Sequence, residues 1–453
     1  MSYPAYDWRI AMKPAKRLYA LLLAAALLLL PSLAAGGGQS IGFRAVWVAT
    51  VYNLDYPAKG TADAQTLRAQ ADAILQNSAD MGMNAVILQV RPSCDSLYPS
   101  ALFPWSRYLT GDQNTAPQGG FDPLAYWVER AHALGLELHA WVNPFRVTKG
   151  GQAEFDALSP SSPARLHPDW VVEFEKNFYL NPGLPQVREL VIQGAEELVR
   201  NYDLDGVHLD DYFYPGSGFD DAAAYAQYGS AFSSLADWRR DNVNQLIRDL
   251  DTRLHALNPA LRFGVSPAGV WADAAHLSGG SNTSGGYETY FQAYADTRRW
   301  VREGWVDYIC PQLYWPIGHA KTDYRALAQW WAGTVRGTGV DLYIGMADYM
   351  AGNKNPDNAW YGTTAIENQL TLNDTIPEIT GEVHFRYQFL ADSPALRAIY
   401  QARYGQAATP APTPTPTAAP TPTPVPSLPV QPPEAEVPAA ALPRPVVGPL
   451  LLP

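Results

Sequence analysis

Cysteine and basic residues are scarce in this chain, and each shortage excludes a class of protein. Only two cysteines, Cys94 and Cys310, occur among 453 residues, so a disulfide-rich scaffold is excluded and at most one bridge could form. Lys and Arg number 32 against 44 Asp and Glu, which gives a formal net charge of -12. Phosphate backbones are bound by clustered Lys and Arg. We therefore expect no nucleic-acid partner.

Two cofactor and metal motifs are also missing. The glycine-rich dinucleotide fingerprint does not follow the first strand candidate, residues 43–51. The same strand lacks the paired His-x-His that metal-dependent barrel hydrolases carry, although His139, His208 and Asp210 could converge elsewhere. The sequence therefore predicts no cofactor and no metal.

The N-terminal apolar run is too short to span a bilayer comfortably. Residues 18–30 are apolar and follow the basic segment that begins at Met12, whereas a spanning helix needs roughly 20 residues. Ser32-Leu-Ala34 is a small-residue cleavage signal. We predict a removed signal peptide over residues 1–35, with Met12 as a candidate true start and an uncleaved anchor as the alternative. The mature protein would then have no stable membrane span and be secreted, periplasmic or cell-wall associated.

The C-terminal end of the chain has a different composition from the rest. From about residue 405 it consists mainly of Pro, Thr and Ala. Such a segment cannot bury a core and prefers extended polyproline II. We predict a disordered Pro/Thr-rich tail over residues 405–453 and a folded domain over residues 41–404.

Apolar strand-like runs alternate with helical patterns across this domain, which implies parallel strand pairing. Eight such units over roughly 360 residues fit a (β/α)8 TIM barrel with long βα loops, and a doubly wound open sheet is the alternative. Cys94 and Cys310 would lie at the ends of the second and sixth strands, across the barrel from each other and too far apart for the Cα separation of about 7 Å that a bridge allows. The predicted strands are residues 43–51, 84–90, 136–142, 206–212, 261–268, 306–314, 341–348 and 382–389. The predicted helices are residues 64–81, 123–134, 185–201, 230–257, 289–303, 324–334 and 364–373.

The segment Asp205-Gly-Val-His-Leu-Asp-Asp-Tyr-Phe-Tyr-Pro215 carries the strongest catalytic signal. Side chains alternate along a strand, so His208 and Asp210 share the face opposite to the apolar one. In α/β barrels the chemistry lies at the C-terminal ends of the strands. We therefore predict Asp210 and Asp211 as catalytic acids and His208 as a hydrogen-bonded core histidine. The alternatives are a structural aspartate at 210 and a loop cap at 211.

Polar and aromatic residues also concentrate at the ends of the other predicted strands. The same alternation places Gln89 and Arg91 on one face of the second strand. A closed barrel would bring these ends into one mouth, where aromatic rings could stack on sugars and arginines could pair with substrate carboxylates. The predicted substrate-binding residues are Arg91, Trp105, Trp141, Asn143, Arg146, Tyr212, Gln312, Tyr314, Trp315 and Asp348.

Five ordered motifs resemble one known family. They are Gln89-Val-Arg-Pro, Pro104-Trp-Ser-Arg-Tyr-Leu-Thr-Gly111, His139-Ala-Trp-Val-Asn-Pro-Phe-Arg146, the Asp205–Pro215 segment and Pro311-Gln-Leu-Tyr-Trp315. Together they are similar to the glycosyl-hydrolase-like family 10 of bacterial exported proteins, over about residues 41 to 400. The resemblance implies a TIM barrel and a glycosidase. One branch, the divisome-localised glycosyl hydrolases, cleaves peptidoglycan strands stripped of stem peptides. Some members carry an acid before Pro-Trp-Ser, where this chain has Phe103.

The predicted function is an exported glycoside hydrolase acting on peptidoglycan glycan strands or a related amino-sugar polymer. Hydrolysis usually needs two carboxyl groups. In one arrangement a substrate acetamido group is the nucleophile, Asp210 orients it, Asp211 delivers the proton and Tyr314 donates to the acetamido carbonyl. The other arrangement uses a distant second acid. The candidates for it are Asp348, Asp273 and Glu288. The alternative functions are a non-catalytic glycan-binding barrel at the cell wall and a neutral-polysaccharide hydrolase.

Overall fold

The computed structural model describes residues 41–405. The predicted signal peptide lies outside these residues, and so does the predicted tail apart from Gly405. Within residues 41–405, none of the helices combines the length and the apolar character that crossing a membrane requires.

Eight parallel strands close into a barrel. Going around it, the strands follow the order β1-β10-β9-β8-β7-β6-β3-β2, and β1 pairs with both β10 and β2. The predicted (β/α)8 fold is therefore confirmed, and the doubly wound sheet is wrong because an open sheet would leave two strands with one neighbour each. The strands are β1 (Phe43–Val48), β2 (Ala85–Arg91), β3 (Glu137–Val142), β4 (Val171–Phe174), β5 (Asn177–Leu180), β6 (Gly206–Leu209), β7 (Arg262–Val265), β8 (Tyr308–Ile309), β9 (Asp341–Met346) and β10 (Ile379–His384).

Helices lie between the barrel strands, and all seven predicted helical segments are present. The fourth begins at Leu235 instead of residue 230, because the Ser234 side chain accepts from the backbone N–H of Asp237 and caps the helix there. The fifth is interrupted at Tyr294, whose φ of 53° is not helical. The helices are Ala64–Asp80, Arg107–Thr110, Pro123–Ala133, Gly151–Asp156, Pro163–Leu166, Pro185–Asn201, Ala222–Tyr228, Leu235–Leu257, Thr289–Gln292, Thr297–Glu303, Tyr324–Val335, Thr364–Asn373, Tyr387–Asp392 and Pro394–Tyr404.

A hairpin in the long loop after β3 was not predicted. Strands β4 and β5 pair in antiparallel fashion. The loop that leaves β3 is fastened to it, since Arg146 bridges to Tyr179 and the backbone N–H of Val147 donates to the carbonyl of Phe178. The hairpin therefore fixes the position of the chain that follows Arg146, at the mouth of the barrel.

Aromatic and histidine rings fill the barrel interior, and glycines on neighbouring strands make room for them. A Cβ at Gly264 would lie 2.1 Å from the ring of Tyr308, and one at Gly206 would lie 2.4 Å from the ring of His139. The Tyr308 hydroxyl bonds to both His139 Nδ1 (2.9 Å) and His208 Nδ1 (3.0 Å). His208 is thus a hydrogen-bonded core histidine, as predicted, and burial lowers its pKa well below the usual value.

Both cysteines are buried and free, which confirms the prediction that they form no bridge. Burial raises the pKa of each thiol, so neither is poised as a nucleophile.

Candidate active site

A cavity of about 310 Å³ opens at the C-terminal ends of the barrel strands. Seven of the twelve predicted site residues line it, contributed by several strands and loops that are far apart in sequence. These seven are Trp141, Arg146, Asp210, Asp211, Tyr212, Gln312 and Tyr314. The barrel therefore brings the strand ends together as predicted, and it places both predicted acids in one cavity.

Asp210 follows the last residue of β6 and is almost fully buried. Its Oδ2 accepts from Trp141 Nε1 and from Asn143 Nδ2, both at 3.0 Å. Its Oδ1 accepts from the backbone N–H of Tyr212 at 3.3 Å. Burial raises the pKa of Asp210, while the charge of Arg146 and these donors oppose that rise. The side chain is therefore held in one orientation with its carboxyl at the cavity wall.

Asp211 is the more accessible member of the pair. Burial raises its pKa to about 7, and the negative charge of Asp210 contributes in the same direction. A carboxyl group with such a pKa carries a proton in a large fraction of molecules near neutral pH. Asp211 therefore has the protonation behaviour of a general acid, next to a carboxyl group that is fixed by donors.

Asn143 does not line the cavity itself. It lies immediately beyond β3, and its Nδ2 donates to Asp210, as described above. Its Oδ1 accepts from the backbone N–H of Arg146 at 3.0 Å. Its role is therefore to position the Asp210 carboxyl group and the loop that carries Arg146.

Two cations border the cavity, one predicted and one not. Arg146 donates Nε and Nη2 to the carbonyl of Pro92, at 2.9 and 2.6 Å, and its guanidinium carbon lies 5.0 Å from the centre of the Tyr212 ring. No carboxylate among the described residues lies within 4.0 Å of it, so Arg146 forms no direct ion pair with Asp210. Lys149, three residues further on, also lines the cavity.

Arg91 is not at the cavity, which corrects the prediction from strand alternation. The pairing of β2 with β3 shifts register between Gln89 and Arg91, so only Gln89 points into the barrel mouth. Arg91 is almost fully buried, with its guanidinium carbon 4.5 Å from the centre of the Phe103 ring. A Cβ at Gly194 would fall 1.7 Å from Arg91 Nη1, so the side chain packs against the helix Pro185–Asn201. The Phe103 position thus belongs to this packing cluster and not to the acid pair.

Trp105 and Trp315 also lie outside the acid cavity. Trp105 borders a second cavity of about 640 Å³, whose lining shares no residue with the first. The ring of Trp315 packs near Gly269 and Gly286, and its carbonyl accepts from Gln369 Nε2 at 2.8 Å. Their predicted stacking on substrate in the acid cavity is therefore not supported by their positions.

Asp348 is locked into an internal network, so its prediction as a substrate-binding residue is wrong. It is 1% exposed, and its carboxyl group contacts His384 Nδ1 at 3.1 Å and the Tyr400 hydroxyl. The helix Pro394–Tyr404, which supplies Tyr400, was not predicted. The helix covers the end of β9, so Asp348 is buried in the core although it follows a strand end.

The other two candidates for a distant acid form a separate cluster. Asp273 accepts from the Thr283 hydroxyl, and Glu288 bonds to His276 Nδ1 at 2.9 Å. Ligand atoms of Asp273, His276 and Glu288 lie within 4.8 Å of one another, close enough to share a cation. None of the three lines the acid cavity. Asp210 and Asp211 are therefore the only carboxylates among the described cavity-lining residues.

Tyr52, Leu54, Lys149, Tyr349 and Phe385 line the cavity but were not predicted. Tyr52 has a φ of 56°, a conformation that a tyrosine rarely adopts and that no sequence pattern indicates. Tyr52, Tyr212 and Tyr349 expose 52%, 44% and 37% of their surface, so the rim is aromatic, as expected of a site that stacks against sugar rings.

Comparisons with known proteins agree with this architecture. The glycosyl hydrolase-like 10 family model matches residues 42–362. The chain is 45% identical over 356 residues to glycosyl hydrolase YngK of Bacillus subtilis (strain 168), an alignment that covers 78% of this chain and 69% of that protein. It is 40% identical over 387 residues to glycosyl hydrolase DigH of Escherichia coli (strain K12), covering 80% and 87%.

A solved structure gives the same answer for the fold. The glycoside hydrolase domain of PgaB (BpsB) from Bordetella bronchiseptica superimposes with a TM-score of 0.52 at 15% identity, covering 80% of this chain and 98% of that one. At this identity the likeness concerns the fold alone. The barrel, the acid pair at the end of β6 and the match over residues 42–362 lead to one conclusion: the chain belongs to the glycosyl hydrolase-like 10 family and is a glycosidase with a carbohydrate substrate.

Proposed function

We propose that the protein is an exported glycosidase that cleaves the glycan strands of peptidoglycan, in their peptide-free form, or a related amino-sugar polymer. The single observation that carries the proposal is the adjacent pair of carboxyl groups in one cavity, Asp210 held by donors and Asp211 with a pKa of about 7. Two-carboxylate glycosidases place their acids on opposite sides of the scissile bond, about 5 to 10 Å apart. Asp210 and Asp211 are instead neighbours in sequence at the end of a single strand, β6.

An adjacent pair suits hydrolysis assisted by the substrate. Asp211 would give its proton to the glycosidic oxygen while the carbonyl oxygen of the substrate acetamido group attacks the anomeric carbon. The glycosidic C–O bond breaks, the leaving sugar departs as an alcohol, and an oxazolinium intermediate forms. Asp210 would accept a hydrogen bond from the acetamido N–H and balance the positive charge that develops. Water would then attack the anomeric carbon and return a proton to Asp211. This sequence needs one acid/base from the protein, which is what the cavity offers.

Tyr314 is suited to hold the acetamido oxygen. It lines the cavity, and burial raises its pKa well above the usual value, so its hydroxyl remains a donor at all physiological pH. A donor aimed at the acetamido carbonyl would fix the attacking geometry. An N-acetylated sugar, such as those of peptidoglycan, therefore supplies the group that this site lacks.

The proposed export depends on residues 1–35, whose sequence has the order of a secretory signal: basic, apolar, then small. A reporter enzyme fused after residue 40 should accumulate outside the cytoplasm. The matched control replaces three leucines of residues 18–30 by glutamate. Equal cytoplasmic retention of both fusions would refute export.

The substrate proposal is tested by mass spectrometry of the products released from purified sacculi, intact or first treated with an amidase that removes the stem peptides. We expect wild-type protein to release N-acetylated oligosaccharides from treated sacculi, and Asp210→Asn and Asp211→Asn to release almost none. Cleavage of a neutral glucan together with inert treated sacculi would instead favour the neutral-polysaccharide hydrolase.

A further inference from the structure

An ammonium group without a direct ion pair lies at the edge of the acid cavity. Lys149 lines the cavity and is only half buried, yet no carboxylate among the described residues lies within ion-pair distance of its Nζ. Arg146, on the same loop, is likewise without an ion-pair partner. Two positive charges therefore border the cavity, and neither forms a direct ion pair with its two carboxyl groups.

Glu154, on the same loop, makes no ion pair with Lys149. Glu154 accepts from the backbone N–H of Lys149 at 3.0 Å and pairs with Arg107 at 2.9 Å. The Glu154 carboxylate thus shapes the loop through a backbone N–H and binds Arg107. The bonds from this loop to the hairpin β4-β5, given above, hold the loop at the mouth. Backbone contacts therefore fix the position of Lys149 and leave its side chain available to a ligand.

Aromatic rings flank the ammonium on the cavity side. Lys149 Nζ lies 5.6 Å from the ring centre of Tyr212 and 5.9 Å from that of Tyr52. Both rings are about half exposed. Exposed rings beside a cation can hold the apolar face of a sugar while the cation meets an anionic substituent. Burial and the nearby charge of Arg146 lower the pKa of Lys149, while the charges of Asp210 and Asp211 oppose that shift without a direct ion pair.

We propose that Lys149, with Arg146, binds a carboxylate carried by a sugar ring next to the bond that is cleaved. This inference rests on the proposed function and names the substituent that the site selects. On a peptide-free strand the lactyl carboxylate is an anion, whereas a stem peptide converts it into a neutral amide and adds bulk. The contact therefore selects acidic amino-sugar polymers over neutral ones, and free lactyl groups over substituted ones.

The test combines a change in the protein with a change in the substrate. Peptide-free glycan strands and the same strands with their carboxyl groups reduced to alcohols are assayed for reducing-end release, using wild type, Lys149→Gln, Lys149→Arg and Lys59→Gln. Lys59 is exposed and outside the cavity, so its variant makes the same charge change elsewhere. Thermal melting confirms that each variant is folded.

We expect wild type to favour the carboxylated strands by about tenfold or more in kcat/KM, the size of one charge-assisted contact. Lys149→Gln should lose most of that preference through KM, Lys149→Arg should keep part of it, and Lys59→Gln should keep all of it. The preference should also weaken as salt is raised.

Equal wild-type cleavage of both polymers would overturn the inference and leave the proposed function standing. A Lys149→Gln variant that slows both polymers alike would overturn it as well, since Lys149 would then act on the acid pair and not on the substrate carboxylate. Inactivity of wild type on both polymers would refute the proposed substrate. In that case, equal binding of the two polymers in calorimetry would overturn the inference, and tighter binding of the carboxylated one would support it.

Discussion

Asp211 has a pKa of about 7, and this value leads to a quantitative prediction for Asp211→Asn. At pH 7 about half of the molecules carry the proton, whereas an ordinary aspartic acid with a pKa of 3.8 would carry it in roughly one molecule in 1,600. A positioned general acid contributes about 10²- to 10⁴-fold to the rate. We expect Asp211→Asn to lower kcat on peptide-free glycan strands by this factor.

The pH dependence has a defined sign. The acid must be protonated, so wild-type kcat/KM should fall as the pH rises through about 7. The residual activity of Asp211→Asn should not show this fall on the alkaline side of the pH profile. Because the folded-state pKa is raised, the native state binds more protons than the unfolded chain between about pH 3.8 and about 7. The contribution of Asp211 to stability is thus full below this window and lost across it, by up to about 4 kcal/mol.

Two measurements check this prediction. Steady-state rates between pH 5 and pH 9 give the catalytic limb, and urea unfolding of wild type and Asp211→Asn at the same pH values gives the stability difference. A wild-type limb that persists unchanged in Asp211→Asn would refute the assignment of the acid. A stability difference that does not vary with pH would refute the raised pKa.

Three further predictions test the rest of the site and its scaffold. Trp141→Phe removes a donor to Asp210, so the pKa of Asp210 should rise further. As a result kcat/KM should fall about tenfold, and the acidic limb of the pH profile should move to higher pH. Arg91→Met should leave kcat/KM unchanged whereas Arg146→Met lowers it about tenfold; comparable losses in both would mean that Arg91 reaches the substrate. Gly264→Ala should cost about 2–3 kcal/mol in urea unfolding because its Cβ meets Tyr308. The helical control Gly333→Ala, with nothing within 4 Å, should stabilise by about 0.5–1 kcal/mol.

Much of the fold was predictable because its signals are local and repeated. Alternating strand and helix patterns indicated the barrel, and the helix Pro185–Asn201 was predicted with both of its ends correct. The acids at the end of β6 could be predicted for the same reason. Alternation along one short strand places Asp210 on the inner face, and closure of the barrel brings this strand end to the mouth with the others. The absence of a disulfide between Cys94 and Cys310 could be predicted from the same barrel geometry.

The errors arose where a distant contact overrides the local pattern. Alternation assumes an unbroken ladder, and the register shift in β2 turns Arg91 away from the mouth. Asp348 has the sequence position of a site residue, but the helix Pro394–Tyr404 folds over it. Lys149 lies in a loop without periodicity, and only the hairpin that anchors this loop brings it to the cavity.

The central claim is that the acid pair works with an acetamido group of the substrate. Its most direct test is the rate of cleavage of amino-sugar oligosaccharides whose N-acetyl groups carry zero, one, two or three fluorine atoms. Fluorine withdraws electrons from the carbonyl oxygen, so kcat/KM should fall steeply with each added atom if that oxygen attacks the anomeric carbon. A rate that is independent of fluorination would contradict the account, because the nucleophile would then have to come from elsewhere.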